Sequence, residues 1–277
     1  MLRTARFTLW REVHLFWVER AVEIGGRVGM ACFGLVHLVV AWLAVQVALG
    51  DSPAEADQKG ALATIAAQPL GVALLIALAA GLAAFAVWQL LSAFFGHRWI
   101  SDQRKRTIKR STSAARGVAG IVLAVIAVNF LIGAGQESGD QSQKTLTAEL
   151  LALPGGPWIV AAIAAVVFGV GVAAVLKGVR RTFLEELDLT RLPAGTRTWT
   201  RRLGMTGYPA KGIAFAVVGI LLALAGFTAD PNRAGGLDQA LRELAALPFG
   251  VFVLLAVALG LAAFGVYCFA DARCRRP

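Results

Sequence analysis

The chain has 277 residues, of which 57% are hydrophobic and only 16% charged, with a mean hydropathy of +0.67. Soluble domains carry about 25% charged and about 45–50% apolar residues, and disorder needs low hydrophobicity with dense charge, so both classes are excluded. A net charge of +10 would point to nucleic acid in a soluble protein; in an apolar chain it asks where the cations sit relative to the apolar segments.

From the N-terminus, residues 1–27 read as an amphipathic arm at the cytoplasmic interface. Arg3, Arg6, Arg11, Glu12, Glu19 and Arg20 interrupt any signal-peptide core. Phe7, Trp10, Phe16 and Trp17 supply apolar contacts while the arginines face headgroups. Six uncharged runs follow: Val28–Gly50, Gly60–His97, Gly117–Gln136, Leu150–Leu176, Gly212–Ala229 and Leu244–Ala270. Crossing about 30 Å of hydrocarbon takes roughly 20 helical residues at about 1.5 Å each, so each run predicts one span. Pro69 places the start of the second span near Leu70.

Charge orients the spans. The arm, the loops Gly96–Arg116 and Lys177–Lys211 and the tail hold 23 of 27 basic and 8 of 17 acidic residues, a net of +15, and the alternate loops carry −5. Basic residues stay on the cytoplasmic side, so both termini are expected inside a bacterial plasma membrane. The charge is then a topology signal, and no nucleic acid is expected. Lys177–Leu189 reads as a continuation of the fourth helix into solvent, with Arg180 and Arg181 at the headgroups.

The chain repeats itself three times. Gly60–Trp88 and Gln239–Tyr267 share 16 of 29 residues, including Pro69/Pro248, Gly71/Gly250 and Gly-Leu-Ala-Ala-Phe at Gly81–Phe85 and Gly260–Phe264. Gly29/Gly207 and Gly34/Gly212 match at an offset of 178. The middle third fits with Pro157 and Gly169 on Pro248 and Gly260, or alternatively with Pro154 and Gly156 on the proline and glycine. Each unit is span, outer loop ending in a short amphipathic helix (60–68, 145–153, 237–247), proline, span. Two helices per unit give all units the same polarity. The expected fold is all-α: six transmembrane helices as three parallel two-helix repeats, residues 28–97, 98–190 and 191–277, in a pseudo-threefold bundle. The small pairs Ala77/Gly81, Ala165/Gly169 and Ala256/Gly260, and Gly34, Gly117 and Gly212 in the first helices, are the expected helix-packing positions.

The Gly207–Gly212 opening with its echo at Ala115-Arg116-Gly117, the Pro–x–Gly start of the second helix, and the run Lys177–Leu184 carry a resemblance. Over residues 20–272 the chain resembles the bacterial domain of unknown function family 1206, polytopic membrane proteins of three tandem two-helix repeats. The first repeat departs from the pattern, with Cys32-Phe33-Gly34 where a basic residue is expected. The resemblance implies a fold and a membrane location; it brings no activity and no catalytic residues.

Candidates for chemistry are few. His37 is the one imidazole inside a span, and an intramembrane ionisable group is a functional candidate; against that, its repeat counterparts are Phe215 and Gly120, so a neutral, hydrogen-bonded histidine is favoured. Gln46 and Asn129 hold equivalent positions, where amides act as interhelical glue of about 0.6–2 kcal/mol or line a small recess. Arg104, Lys105, Arg106, Lys109 and Arg110 form a polybasic inner loop that attracts anionic lipid by about 1 kcal/mol per cation. Phosphate-loop, GxSxG, HExxH and CxxC signatures are absent. Cys32, Cys268 and Cys274 are badly spaced for a disulfide framework or a zinc site. The expectation is a non-enzymatic, cofactor-free structural or accessory subunit for lipids or other membrane proteins; the alternative is a small transporter or channel-like module for a neutral or apolar solute.

Overall fold

The computed structural model describes residues 2–50, 54–96, 101–134 and 138–275, with the side chains of residues 2–23, 191 and 194 outside that description. The aromatic contacts expected of Phe7, Trp10, Phe16 and Trp17, and the positions of His97 and Arg98, therefore fall outside the described residues. The described chain is all-α. Its helices are α1 (Leu2–Leu49), α2 (Gln58–Ala66), α3 (Gly71–Phe95), α4 (Gln103–Leu131), α5 (Gly139–Leu151), α6 (Gly156–Val179), α7 (Ala194–Thr228), α8 (Leu237–Ala246) and α9 (Gly250–Cys274). Six of them, α1, α3, α4, α6, α7 and α9, contain stretches long and apolar enough to cross a membrane.

The short helices form where the sequence supplies caps and leave where it supplies prolines. Asp57 caps α2 by accepting from the Gly60 amide, and Ser138 caps α5 by accepting from Gln141. Each short helix then ends in a tight turn carrying Pro69, Pro154 or Pro248, and the following span opens at Gly71, Gly156 or Gly250. This fixes the register of the middle repeat. Pro154 and Gly156 are the equivalents of Pro248 and Gly250, so the alignment through Pro157 and Gly169 is overturned.

α2, α5 and α8 gather on one face, which we call the acidic face, so the three units share one polarity. The long helices form a ring: α1 packs on α3, α3 on α4, α6 on α7, α7 on α9, and α9 back on α1. The sixth side, α4 against α6, lacks extended contact. Between repeats the expected glycines do pack. A Cβ at Gly34 would stand 2.7 Å from the Gly265 carbonyl, and one at Gly171 would stand 2.7 Å from the Gly212 carbonyl. At the same level Gly117 lies against Ala86 and Leu90. Within repeats one and three, Gly29 meets Gly81, while Gly260 meets Ala210 and Gly207 meets Phe264.

The small pairs need correcting. Ala77, Ala165 and Ala256 are exposed, and a Cβ at Gly169 would meet nothing within 4 Å. A residue four positions before a buried one is turned about 40° from it, enough to move these alanines out of the narrow contact. In the corrected register Gly81 and Gly260 correspond to Val166, and Gly29 and Gly207 to Thr112. The middle repeat thus places side chains where its neighbours have bare backbone, and its two helices stay apart.

The basic loops also differ from expectation. Residues 103–116 are the first turns of α4, capped by Asp102, and residues 194–211 are the first half of α7. The fourth span does not continue into solvent. α6 stops at Val179, Arg181 takes a left-handed conformation (φ 59°), and a 3-10 turn over Thr182–Glu186 folds back under the ring. Phe183 is fully buried there, and an isolated bridge ties Leu187 to Arg275.

Candidate functional site

Two polar assemblies close the ends of the ring. On the acidic face each repeat lends a carboxylate to the backbone of the next. Asp238 Oδ1 accepts from the Ala56 amide at 2.8 Å, Glu55 Oε2 from Gly139 at 2.7 Å, and Asp140 Oδ1 from Gly236 at 2.7 Å. The bonds run from repeat three to one, one to two and two to three, a closed cycle. Anions at helix N-termini meet unsatisfied amides and the positive end of the helix dipole. Asp57, buried at the centre, packs against Gly139, where a Cβ would collide with its carboxylate. Burial pushes the Asp57 carboxyl up to about 7, with Glu55, Asp140 and Asp238 adding to the rise against the Gly60 hydrogen bond. Burial raises Asp140 as well. Arg242 anchors the other oxygen of Asp238 at 2.6 Å. The described residues contain no metal-binding group of three or more His, Cys, Asp or Glu.

The basic face is organised around Glu186. Its carboxylate meets Lys177 Nζ at 2.7 Å, Lys109 Nζ at 3.0 Å, Arg116 Nη1 at 3.4 Å and Arg275 Nη2 at 3.4 Å. Burial alone would raise this carboxyl, but the four cations hold it well below the usual carboxylate range. Arg275 also pairs with Asp271 at 3.3 Å and lies over the Trp88 ring. Arg116 Nη2 donates to the Tyr208 hydroxyl at 3.3 Å, and Tyr208 stacks on Phe183. Buried Glu186 and Asp271, with the exposed Glu185 3.6 Å from Lys109 Nζ, thus face Lys109, Arg116, Lys177 and Arg275.

Above this hub lies an aromatic chamber. Phe33, Arg116 and Lys211 are the equivalent residues of the three repeats, each immediately before its packing glycine. Lys211 Nζ sits 4.3 Å from the Phe264 ring centroid, 4.8 Å from Phe33 and 5.8 Å from Phe215. Beyond these cation–π contacts Lys211 lies within electrostatic reach of Arg116, His37 and Cys268, and no carboxylate among the described residues pairs with it.

His37 is buried between Phe33 and Phe264, with ring centroids 4.4 and 5.0 Å away, and its Nδ1 pairs with the Phe33 carbonyl at 2.9 Å. Gln46 and Asn129 are not brought into a hydrogen-bonded pair, and Gln46 Oε1 is buried without a partner. The polybasic set divides: Arg104 and Lys105 are exposed, while Lys109 turns to Glu186 and Arg110 donates to the Gly96 carbonyl at 3.4 Å.

Sequence reasoning missed Glu186, Arg116, Lys177 and Lys211. A signal for two of them was present. Ala115-Arg116-Gly117 and Ala210-Lys211-Gly212 place a cation beside the glycine that must face another helix, so each cation lies near the bundle interior. Glu186 had no such signal, because its burial depends on the helix stop at Val179.

Comparison with known proteins agrees with this architecture. The chain matches the family described as Domain of Unknown Function (DUF1206) three times, at residues 28–96, 112–181 and 206–275. It is also 32% identical over 251 residues to an uncharacterized protein, YxxB, of Bacillus subtilis strain 168, a match covering 91% of this chain and 89% of the relative. The chain belongs to the DUF1206 family, as a bundle of three tandem two-helix repeats. No solved structure matches it.

Proposed function

We propose that this protein is a non-enzymatic structural or accessory component of the bacterial plasma membrane, with both termini cytoplasmic, that works by associating with lipids or other membrane proteins. The observation carrying this reading is the closed apolar packing of the ring's acidic half. Val36, Val40, Leu43, Leu62, Leu75 and Leu254 are each 2% exposed or less and belong to one cluster. A solute path would have to cross that cluster. His37 sits between the Phe33 and Phe264 rings and hydrogen-bonds within its own helix, as a structural histidine does.

The positive-inside distribution supports the orientation, and the cations on the basic face favour anionic lipid as the partner. The open side between α4 and α6 favours the second reading, a transporter for a neutral or apolar solute. Flux separates the two. Proteoliposomes loaded with glycerol should shrink and swell at the rate of protein-free vesicles when followed by light scattering. Acceleration by the protein would replace the accessory reading with the transport reading. Cysteines placed singly at the C-terminal end of α9 and at the start of α5, probed in whole cells with a membrane-impermeant maleimide, test the orientation; labelling is expected at the start of α5 alone.

A further inference from the structure

The middle repeat breaks the ring, and Arg116 at the end of that break is electrostatically coupled to Lys211, a cation facing the Phe33 and Phe264 rings of the interior. Phe85 and Phe264, 1% and 5% exposed, fill the interior from repeats one and three. The equivalent residue of repeat two is Val170, 50% exposed, and the glycine equivalent Val166 is 66% exposed. The unclosed side of the ring therefore runs along α6, with Thr112 and Ala115 at the corresponding positions of α4. It ends toward the basic face at Arg116 and Lys177, where Glu186 bridges the two helices. Charge is unbalanced at that end. Glu186, Asp271 and the exposed Glu185 offset three of the five cations formed by Lys109, Arg116, Lys177, Lys211 and Arg275, and Lys211, within electrostatic reach of Arg116, His37 and Cys268, has no carboxylate partner among the described residues.

We infer that the seam between α4 and α6 binds one anionic phospholipid, its headgroup phosphate held between Lys211 and Arg116 and its acyl chains lying along the apolar seam. An apolar slot ending in surplus positive charge complements an acyl chain ending in phosphate. Desolvation inside the bundle strengthens that attraction relative to the exposed Arg104–Lys105 surface. This rests on the lipid-associating reading above and specifies its ligand and place.

The test is native mass spectrometry of the full chain in detergent, titrated with phosphatidylglycerol or phosphatidylcholine of matched chains. One phosphatidylglycerol should be retained about tenfold more strongly than phosphatidylcholine. Lys211→Met, which keeps the length of the side chain among the phenylalanines, should abolish that preference. Lys211→Arg should restore it, and the surface double variant Arg104→Gln, Lys105→Gln should leave it intact. A phosphatidylglycerol bearing a diazirine in its acyl chain should label α4 and α6 peptides in preference to α3 and α9.

Equal retention of the two lipids by the unaltered protein would overturn both this site and anionic-lipid association. A preference that survives Lys211→Met, or label spread over all spans, would overturn the site alone. Protection from labelling by dimerisation through α4 and α6 would assign the seam to a second copy and overturn the proposal. Inorganic phosphate displacing the lipid at millimolar concentration would make a soluble anion the occupant, with the same consequence.

Discussion

The two ends of the ring solve the same problem, joining three repeats, in opposite ways. At the acidic face the solution is symmetric: Asp238, Glu55 and Asp140 each accept a backbone amide from the next repeat. At the basic face one residue, Glu186, collects cations from α4, α6 and the chain's last turn. The cycle spends several carboxylates on neutral amides, so it suffers like-charge repulsion. The hub spends few carboxylates on many cations, so it is left with a positive excess. Symmetry therefore costs the protein stability at high pH on one face, and asymmetry leaves binding capacity on the other.

The largest effect should come from the hub. Glu186→Gln keeps size but leaves Arg116 and Lys177 without a carboxylate, while Arg275 keeps Asp271 and Lys109 keeps the exposed Glu185, and breaking a buried ion pair from one side costs about 3–5 kcal/mol. Thermal unfolding in a fixed detergent should show a loss larger than that of any single change on the acidic face. A loss smaller than that of Asp140→Asn would reverse the comparison. The packing beneath comes next. Gly171→Val places side-chain atoms against the Gly212 carbonyl, where backbone meets backbone, and overpacking costs about 1–3 kcal/mol. Gly169→Val, on the exposed side of the same helix, should leave the melting temperature within about 1 °C, a surface effect. Equal losses from the two would restore the alignment through Pro157 and Gly169.

The two faces should also respond oppositely to pH. In the folded protein Asp57 binds its proton with a pKa of about 7, against 3.8 for an ordinary aspartate, so the fold takes up a proton that the unfolded chain releases. Its contribution is fully present at low pH and is lost as pH rises from about 4 toward 7. Glu186 has the reverse sign: its contribution is present above the ordinary value of 4.5 and lost as pH falls below it. Melting temperature should decline from pH 5 to pH 8 and also fall steeply below pH 4. Asp57→Asn retains an N-cap oxygen for Gly60 and should flatten the upper limb, raising the melting temperature at pH 8 by about 2–4 °C per kcal/mol recovered. An upper limb unchanged in Asp57→Asn would place the acidic-face titration on Asp140 instead.

Much of this architecture was legible in the sequence because it depends on local signals repeated three times. Charge-free runs, prolines after the short helices and glycines at Gly34, Gly117 and Gly212 each act within one helix or between two. What escaped detection depends on one helix ending. A stop at Val179 turns Glu186 from a solvated residue into a buried hub, and no run of apolar residues marks it. The seam was hidden for a related reason: the middle alignment had two registers, and only the turn at Pro154 shows that Val166 stands where Gly81 and Gly260 permit contact. His37, conspicuous as a lone imidazole, is less unusual in three dimensions than Lys211, which the charge pattern assigns to a loop.

That contrast sets the smallest expected effect. His37→Phe puts in the residue that repeat three carries as Phe215, at a site already bounded by Phe33 and Phe264. The lost hydrogen bond is to the carbonyl four residues back on the same helix, which keeps its helical amide partner, so little is left unsatisfied. A net hydrogen bond contributes about 0.5–1.5 kcal/mol, and the larger apolar ring offsets part of it. Melting temperature should move by no more than about 3 °C. The retention of phosphatidylglycerol should match that of the unaltered protein, since the surplus charge resides on Lys211 and Arg116. Should His37→Phe abolish lipid retention while leaving the fold intact, the imidazole would belong to the binding site, and the basic end would have to be redrawn around α1 instead of the α4–α6 seam.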